Sequence, residues 1–303
     1  ELGHMKNKAL LGHIMALLTM FIWGTTYIST KVLLEDFTPL EILFYRFVIA
    51  YIILFIIHPK FKKIILKDEL LFMMAGLTGL TIYYGFENIA LNYTLASNVG
   101  LLIATAPILT AIFSKIVFKE KSLEKKLIYG FIIAILGIFL VLFNGNFILK
   151  LNPLGDFLAI MAALVWAIYS VISAKIGDKY NYLYVTRKMF FYGLIFLLPL
   201  ILIFDVKFSP EAILISRNFW NLIFLSLIAS SLCFIMWNKC IRILGPVISN
   251  NYIYMIPLIT AVTSVIVLDE PITIVVSIGA ILILLGLYIS HNGFEIKFIN
   301  KKN

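Results

Sequence analysis

Charge is scarce in this chain. Of 303 residues, 14% are Asp, Glu, Lys or Arg, and 62% are hydrophobic. A soluble domain carries about 25% charged residues, so an ordinary water-soluble fold is excluded. Cysteine is nearly absent: Cys233 and Cys240 stand seven residues apart in one apolar run. That spacing builds neither a disulfide framework nor a metal or redox motif, and it reads as two buried structural thiols. Histidine is thin as well: apart from His4, there are His13, His58 and His291, on separate loops and run ends. Neither a metal cluster nor a nucleophile–base pair follows from them. Long polar stretches are missing too. The longest connections, around His58–Glu69 and Asp205–Asn218, leave no room for a soluble catalytic domain. These absences point away from an enzyme, and no cofactor or metal is implied.

What the chain does have is apolar length. Ten runs stand out, near Leu10–Thr30, Leu40–Ile57, Leu70–Leu91, Val99–Val117, Leu127–Phe143, Leu154–Ala174, Met189–Phe204, Phe219–Asn238, Val247–Leu268 and Ile272–Ser290. Most approach the roughly 20 residues that cross ~30 Å of hydrocarbon at 1.5 Å per residue. Spanning strands would alternate polar and apolar residues, and these runs do not. The expectation is an all-α polytopic membrane protein with ten transmembrane helices. The net charge of +9 raises nucleic acid as a partner, but its distribution argues for the lipid bilayer instead. Of the 25 basic residues, all but Lys31, Arg46, Lys150, Lys207 and Arg217 fall on the amino terminus and every second loop after it. The positive-inside rule then places both termini in the cytoplasm, in a bacterial plasma membrane.

The runs form two related sets of five. Thr94–Glu120 repeats as Leu244–Glu270, 150 positions later. At that offset Asn88 falls on Asn238, Pro107 on Pro257, Thr110 on Thr260, Ala111 on Ala261, Ser114 on Ser264, Val117 on Val267 and Glu120 on Glu270. Glu1–His4 reads as a remnant of expression ahead of a native Met5. The first repeat is therefore taken as residues 5–148 and the second as 149–303, joined through Asn144–Pro153. Five crossings is an odd number, so the second repeat must sit upside down relative to the first. Inverted repeats in the membrane are the architecture of secondary transporters, with substrate held between the halves near the midplane.

Candidate site residues follow from that expectation. Trp23, Thr26, Tyr27 and Thr30 recur at i, i+3, i+4, i+7, as do Trp166, Tyr169, Ser170 and Ser173. Each set occupies one helix face that lipid has no use for. The faces are read either as inter-helix packing with hydrogen bonds or as cavity lining. Arg46 and Glu87 are the two ionisable residues deep inside apolar runs, at roughly 10 Å and 8 Å from the same face. They form either a structural ion pair or a substrate site, with Glu87 as the protonatable switch or the anchor for a substrate ammonium and Arg46 holding a carboxylate or tuning Glu87. Pro107 and Pro257, near the centres of the fourth and ninth runs, are expected to kink them as hinges or as static bends. Asn98 precedes the first proline and Asn250, Asn251 and Tyr254 the second; their polar groups either bond substrate or bond other helices. Tyr84 and Trp237 join Trp23, Tyr27, Trp166, Tyr169 and Tyr254 as aromatic walls, suited to an amine through cation–π contact. Gly130, Ala134 and Gly137, with Gly279 and Gly286, have the small-residue spacing of close helix packing, within one chain or in a dimer.

Particular motifs carry a resemblance as well. Ala90-Leu91-Asn92-Tyr93-Thr94-Leu95-Ala96-Ser97-Asn98, then Ala106-Pro107 and Lys119-Glu120-Lys121, resembles the first repeat of EamA-type proteins; so does Trp23-Gly24-Thr25 before Lys31. Trp166 through Lys175, then Gly245-Pro246, Pro257 and Asp269-Glu270-Pro271, is similar to the second repeat. The resemblance runs over nearly the whole chain. It implies the drug/metabolite transporter superfamily: ten helices in two inverted five-helix repeats around a central cavity, moving amino acids, amines, drugs and other small metabolites. Arg46 has only Arg187 or Lys188 as approximate counterparts in the second half, so its role is not implied by family. The reading that results is a proton-coupled secondary carrier for an amino acid or related amine, working by alternating access as a monomer or homodimer. An uncoupled uniporter or exchanger, with Arg46 and Glu87 purely structural, is the alternative.

Overall fold

The structure, a computed structural model, describes residues 2–94, 96–119, 124–143, 152–268 and 274–292. Side chains are described for the same residues apart from 2–6, 96–98, 142, 143, 260, 261, 264–268 and 276. Glu120, Glu270 and linker residues 144–151 therefore lie outside the described residues.

Every regular element among the described residues is helical. The first half runs α1 (Leu2–Leu33), α2 (Pro39–Ile57), α3 (Leu66–Gly76), a π-helical segment (Leu77–Ile82), α4 (Tyr83–Tyr93), α5 (Ala96–Ile103), α6 (Ala106–Phe118) and α7 (Lys125–Phe143). The second runs α8 (Pro153–Ile176), α9 (Tyr182–Ile203), α10 (Ser216–Ile223), a second π segment (Phe224–Leu232), α11 (Cys233–Leu244), α12 (Pro246–Asn251), a 3-10 turn (Tyr252–Tyr254), α13 (Met255–Leu268) and α14 (Ile274–Asn292). Among the described residues, seven helical stretches are long and apolar enough to cross a membrane. Large apolar side chains such as Phe21, Ile56, Ile116, Leu136 and Leu202 point outward, as a lipid environment permits.

Local sequence explains several boundaries. Pro39 sits in the first turn of α2, where its missing N–H costs nothing. Thr38 caps that helix through a reciprocal box with Glu41, satisfying two otherwise orphaned donors. Asn152 caps α8 by accepting from the Gly155 amide at 3.1 Å.

The two prolines expected to kink continuous helices do something different. α5 ends at Ile103, Ala104 and Thr105 turn, and α6 begins with Pro107 in its first turn. In the second half the 3-10 turn Tyr252–Tyr254 breaks the crossing and Pro257 falls in the first turn of α13. Proline is tolerated in a first turn and disruptive in a helix interior, so the chain restarts the helix just ahead of each one.

The halves match in places that sequence does not mark. The first π segment, shifted by 150 positions, lands inside the second. The wider π turn breaks the i−4 register: Ser231 Oγ donates to the Ser226 carbonyl five residues back, and such segments often mark functional sites. α7 and α14 pack antiparallel. A Cβ on Gly130 would lie 2.6 Å from the Gly286 carbonyl oxygen, and one on Gly137 would lie 2.6 Å from that of Gly279. The small residues let these backbones touch within one chain. His13 of α1 and His291 at the end of α14 bring their ring centroids to 6.0 Å, so the early part of α1 and the end of α14 meet at one end of the bundle.

Candidate functional site

Four helices deliver the aromatic candidates to one place. Trp23 from α1 meets Trp166 from α8 at 5.3 Å between ring centroids, and Trp237 and Phe234 from α11 at 5.4 Å each. Tyr83 from α4 lies 4.8 Å from Trp166, and Tyr169 lies 4.9 Å from it. The rings meet tilted or edge to face, the arrangement their quadrupoles favour. All are buried. Gly79 makes room for one wall, since any Cβ there would strike the Tyr169 ring at 2.6 Å. Both i, i+3, i+4, i+7 stripes face inward throughout, with Thr26, Thr30, Ser170 and Ser173 buried alongside their aromatic partners.

The second π segment serves this cluster directly. Trp23 Nε1 donates to the Ala229 carbonyl at 2.9 Å. Arg46 reaches the same segment from α2: its Nε donates to Ser230 Oγ at 2.5 Å, and an Nη donates to the Tyr84 hydroxyl at 3.1 Å. The guanidinium carbon also lies 4.2 Å from the Tyr84 ring centroid, a cation–π distance. Arg46 is 2% exposed and Glu87 4%. Glu87 shares its surroundings with Tyr83 and feels the Arg46 charge, and Tyr27 lies within its field. Among the described residues, however, no ion pair within 4.0 Å joins Arg46 to Glu87. The guanidinium is engaged by Ser230 and Tyr84 instead.

The asparagines divide. Asn250 accepts from Trp166 Nε1 at 3.0 Å and from Ser170 Oγ at 3.4 Å, and its own amide donates to the Pro246 carbonyl. Asn251 is buried with its Nδ2 unpartnered, and so is the Trp237 Nε1. Such orphaned donors are costly in a buried place unless a ligand or water completes them. Tyr254 stands apart from the aromatic cluster, packed with Ala104, Ala134, Ile138, Val141 and Ile283. The Asn98 side chain lies outside the described residues. Cys233 and Cys240 are free and buried, as their spacing indicates.

One residue that sequence reasoning used only as a repeat marker is a hub. Asn238 Oδ1 accepts from the Tyr169 hydroxyl at 3.0 Å and from Ser173 Oγ at 2.8 Å, while its Nδ2 donates to Thr186 Oγ1 at 2.9 Å. Three helices, α8, α9 and α11, are tied at that point. Ser230, Tyr83 and Phe234 were likewise missed; no periodicity sets them apart from ordinary core.

The halves are also clasped at each end of the bundle. At one end Asp68 binds Lys179 and the Tyr180 hydroxyl, and Glu69 pairs with Lys188 at 2.5 Å. At the other, Arg217 pairs with Glu35 at 2.9 Å and with Asp36 at 3.1 Å, and the Asn218 amide donates to Asp36 at 2.8 Å. The Asn218 amide, with Arg217 beside it, holds the Asp36 carboxyl below the ordinary aspartate range.

The comparisons with known proteins agree with this architecture. The profile of the EamA-like transporter family matches residues 10–143 and again 153–291. An uncharacterized transporter of Archaeoglobus fulgidus is 29% identical over 288 residues, covering 92% of this chain and 96% of its own. The uncharacterized transporter YyaM of Bacillus subtilis is 26% identical over 299 residues, covering 96% of each chain. A crystal structure 17% identical in sequence superposes with a TM-score of 0.74 over 94% of this chain and 98% of its own, which establishes likeness of fold. With its two repeats, its apolar helices and these relatives, the chain is a multi-pass membrane protein that belongs to the EamA-like transporter family.

Proposed function

We propose that this protein is a secondary-active carrier that moves an amino acid or related amine across the plasma membrane by alternating access, with Glu87 as the proton-coupling group. The observation that carries the reading is Glu87 itself. It is a carboxylate buried in the middle of a membrane bundle, set beside Tyr27 and Tyr83, with the Arg46 guanidinium near but not paired to it. A buried membrane carboxylate without an ion-pair partner is expensive and marks function by default. Aromatic rings with one acid suit an ammonium group, and Arg46 supplies the charge for a carboxylate. Trp23, Tyr27, Arg46, Tyr84, Glu87, Asn98, Trp166, Tyr169, Trp237, Asn250 and Asn251 are the proposed substrate residues; Tyr254, packed in its separate apolar cluster, is not among them. The breaks ahead of Pro107 and Pro257 are the proposed hinges.

The same reading takes ten crossings in two inverted repeats, residues 5–148 and 149–303, with both termini cytoplasmic. Antiparallel packing of α7 against α14 supports the inversion, and adjacent His13 and His291 support an even number of crossings. Clasps at both ends, with the aromatic cluster sealed between them, suit an occluded state from which one end opens at a time. The second reading is an uncoupled uniporter or exchanger; the hydrogen bonds that employ Arg46 structurally favour it.

Thermal unfolding of the purified protein against amino acids, amines, nucleosides and sugar phosphates tests substrate class. A ligand at a hundred times its dissociation constant stabilises the folded state by about 2.7 kcal/mol. Flux in proteoliposomes then tests coupling: Glu87→Gln should keep the fold and lose dependence on a pH gradient. Wild-type flux with unchanged pH dependence in that variant would remove Glu87 from the mechanism and leave the uncoupled carrier.

A further inference from the structure

A cleft of about 720 Å³ lies between the start of α2, the first π segment with α4, and the end of α9. Its walls are apolar: Leu40, Ile82, Phe86, Ile89, Leu200 and Phe204. It is separate from the aromatic site. Ile82, Gly85, Phe86 and Ile89 form one i, i+3, i+4, i+7 face, whereas Tyr83, Tyr84 and Glu87 lie on the opposite side of α4. Gly85 opens directly onto the cleft, and a Cβ built there meets nothing within 4 Å. From Thr81 to Ile89 the wall extends ~12 Å along the helix axis at 1.5 Å per residue. One leaflet of hydrocarbon is about 15 Å deep, half the ~30 Å core.

The mouth is charged. Asp205 and Lys207 line it just past the end of α9, both exposed. Asp205 adopts a left-handed backbone, φ 44°, which turns the chain sharply at the lip. Among the described residues, Asp205 and Lys207 form no ion pair with each other or with a third group. Two opposite, uncommitted charges therefore sit at the interfacial end of an apolar slot about one leaflet deep.

We propose that this cleft is a lipid site. It holds one acyl chain of a phospholipid whose headgroup is zwitterionic with a primary ammonium, the phosphate resting at Lys207 and the ammonium at Asp205. The single acidic and single basic side chain match that headgroup; a purely anionic one would meet repulsion from Asp205. The inference rests on the membrane placement of the chain and is independent of the role given to Glu87.

Native mass spectrometry of the detergent-purified protein, titrated with dioleoyl phosphatidylethanolamine or dioleoyl phosphatidylglycerol, tests it. The wild type should bind one phosphatidylethanolamine above the statistical series of annular lipid, at least tenfold more tightly than phosphatidylglycerol. Gly85→Leu, which fills the slot, should weaken that binding at least tenfold. Asp205→Asn should abolish the preference between the two lipids without reducing total occupancy. Its side chain is exposed, so this variant decides even if Gly85→Leu misfolds. Equal binding by wild type and a folded Gly85→Leu, or a wild-type preference for phosphatidylglycerol, would overturn the assignment.

Discussion

Asn88 and Asn238 occupy equivalent positions in the two halves and carry very different loads, which makes them a controlled pair. Asn238 holds three inter-helical hydrogen bonds, to Tyr169, Ser173 and Thr186. Bonds of this kind in membrane bundles are worth ~0.6 kcal/mol on average and up to about 1.7. Asn238→Leu, close to isosteric, removes all three and strands two hydroxyl donors and one acceptor in the core. The expected cost is roughly 2 kcal/mol, rising toward about 5 if the stranded groups find no new partners. Asn88 makes one long contact, its Nδ2 to the Pro39 carbonyl at 3.5 Å, and its Oδ1 is buried without a partner. A contact that long contributes little, and losing an unsatisfied acyl oxygen is favourable. Asn88→Leu should therefore be neutral, or stabilising by up to about 1 kcal/mol. The two substitutions should differ by a factor of at least roughly thirty in the folding equilibrium. Titration of mixed micelles with sodium dodecyl sulfate, followed by helical circular dichroism, reads that difference. Equal destabilisation by the two variants, or a larger effect at Asn88, would refute the hub.

Arg46→Ala should lower affinity at least tenfold for ligands bearing a carboxylate while sparing amines that lack one; thermal-shift titration with matched pairs reads this, and equal losses would take Arg46 out of carboxylate recognition. Gly137→Val should separate α7 from α14, because its Cβ would sit 2.6 Å from the Gly279 carbonyl. Overpacking of that sort costs typically 1–3 kcal/mol, and an unchanged unfolding midpoint would show that the helix pair is not close-packed. Gly85→Ala, with open space at its Cβ, is the control and should be neutral or stabilising by up to about 1 kcal/mol. The Asp36 clasp should show its own pH signature. A carboxyl whose folded-state pKa is depressed stabilises the fold above its unfolded pKa and loses that contribution as pH falls through the folded value. Wild type should accordingly unfold at a higher temperature than Asp36→Asn at neutral pH, with the gap closing below the ordinary aspartate range; a gap that widens in acid would refute a stabilising Asp36 carboxylate.

Hydropathy and the 3.6-residue period are local properties, so the apolar helices, the inward faces of α1 and α8, and the 150-residue repeat were all legible from residue order. The family could be read the same way, since its motifs are short and contiguous. Buried thiols at Cys233 and Cys240 and tight packing through Gly130, Gly137, Gly279 and Gly286 followed from composition and spacing. Partners across helices did not. Depth along the helix axis brought Arg46 and Glu87 to similar levels but said nothing about azimuth, and the guanidinium turns instead to Ser230, 184 residues away. Tyr254 shares a polar stretch with Asn250 and Asn251, yet the break at Tyr252–Tyr254 rotates it into a separate apolar cluster. No local period marks the restart of a helix ahead of each proline, nor the second π segment, whose Ala229 carbonyl and Ser230 hydroxyl are met by Trp23 and Arg46 from other helices. Local sequence determined which segments are helical and which faces are buried, because lipid and helix geometry act on each segment alone. The tertiary structure decided which side chains meet, because azimuth, register and helix breaks are settled only when the bundle packs.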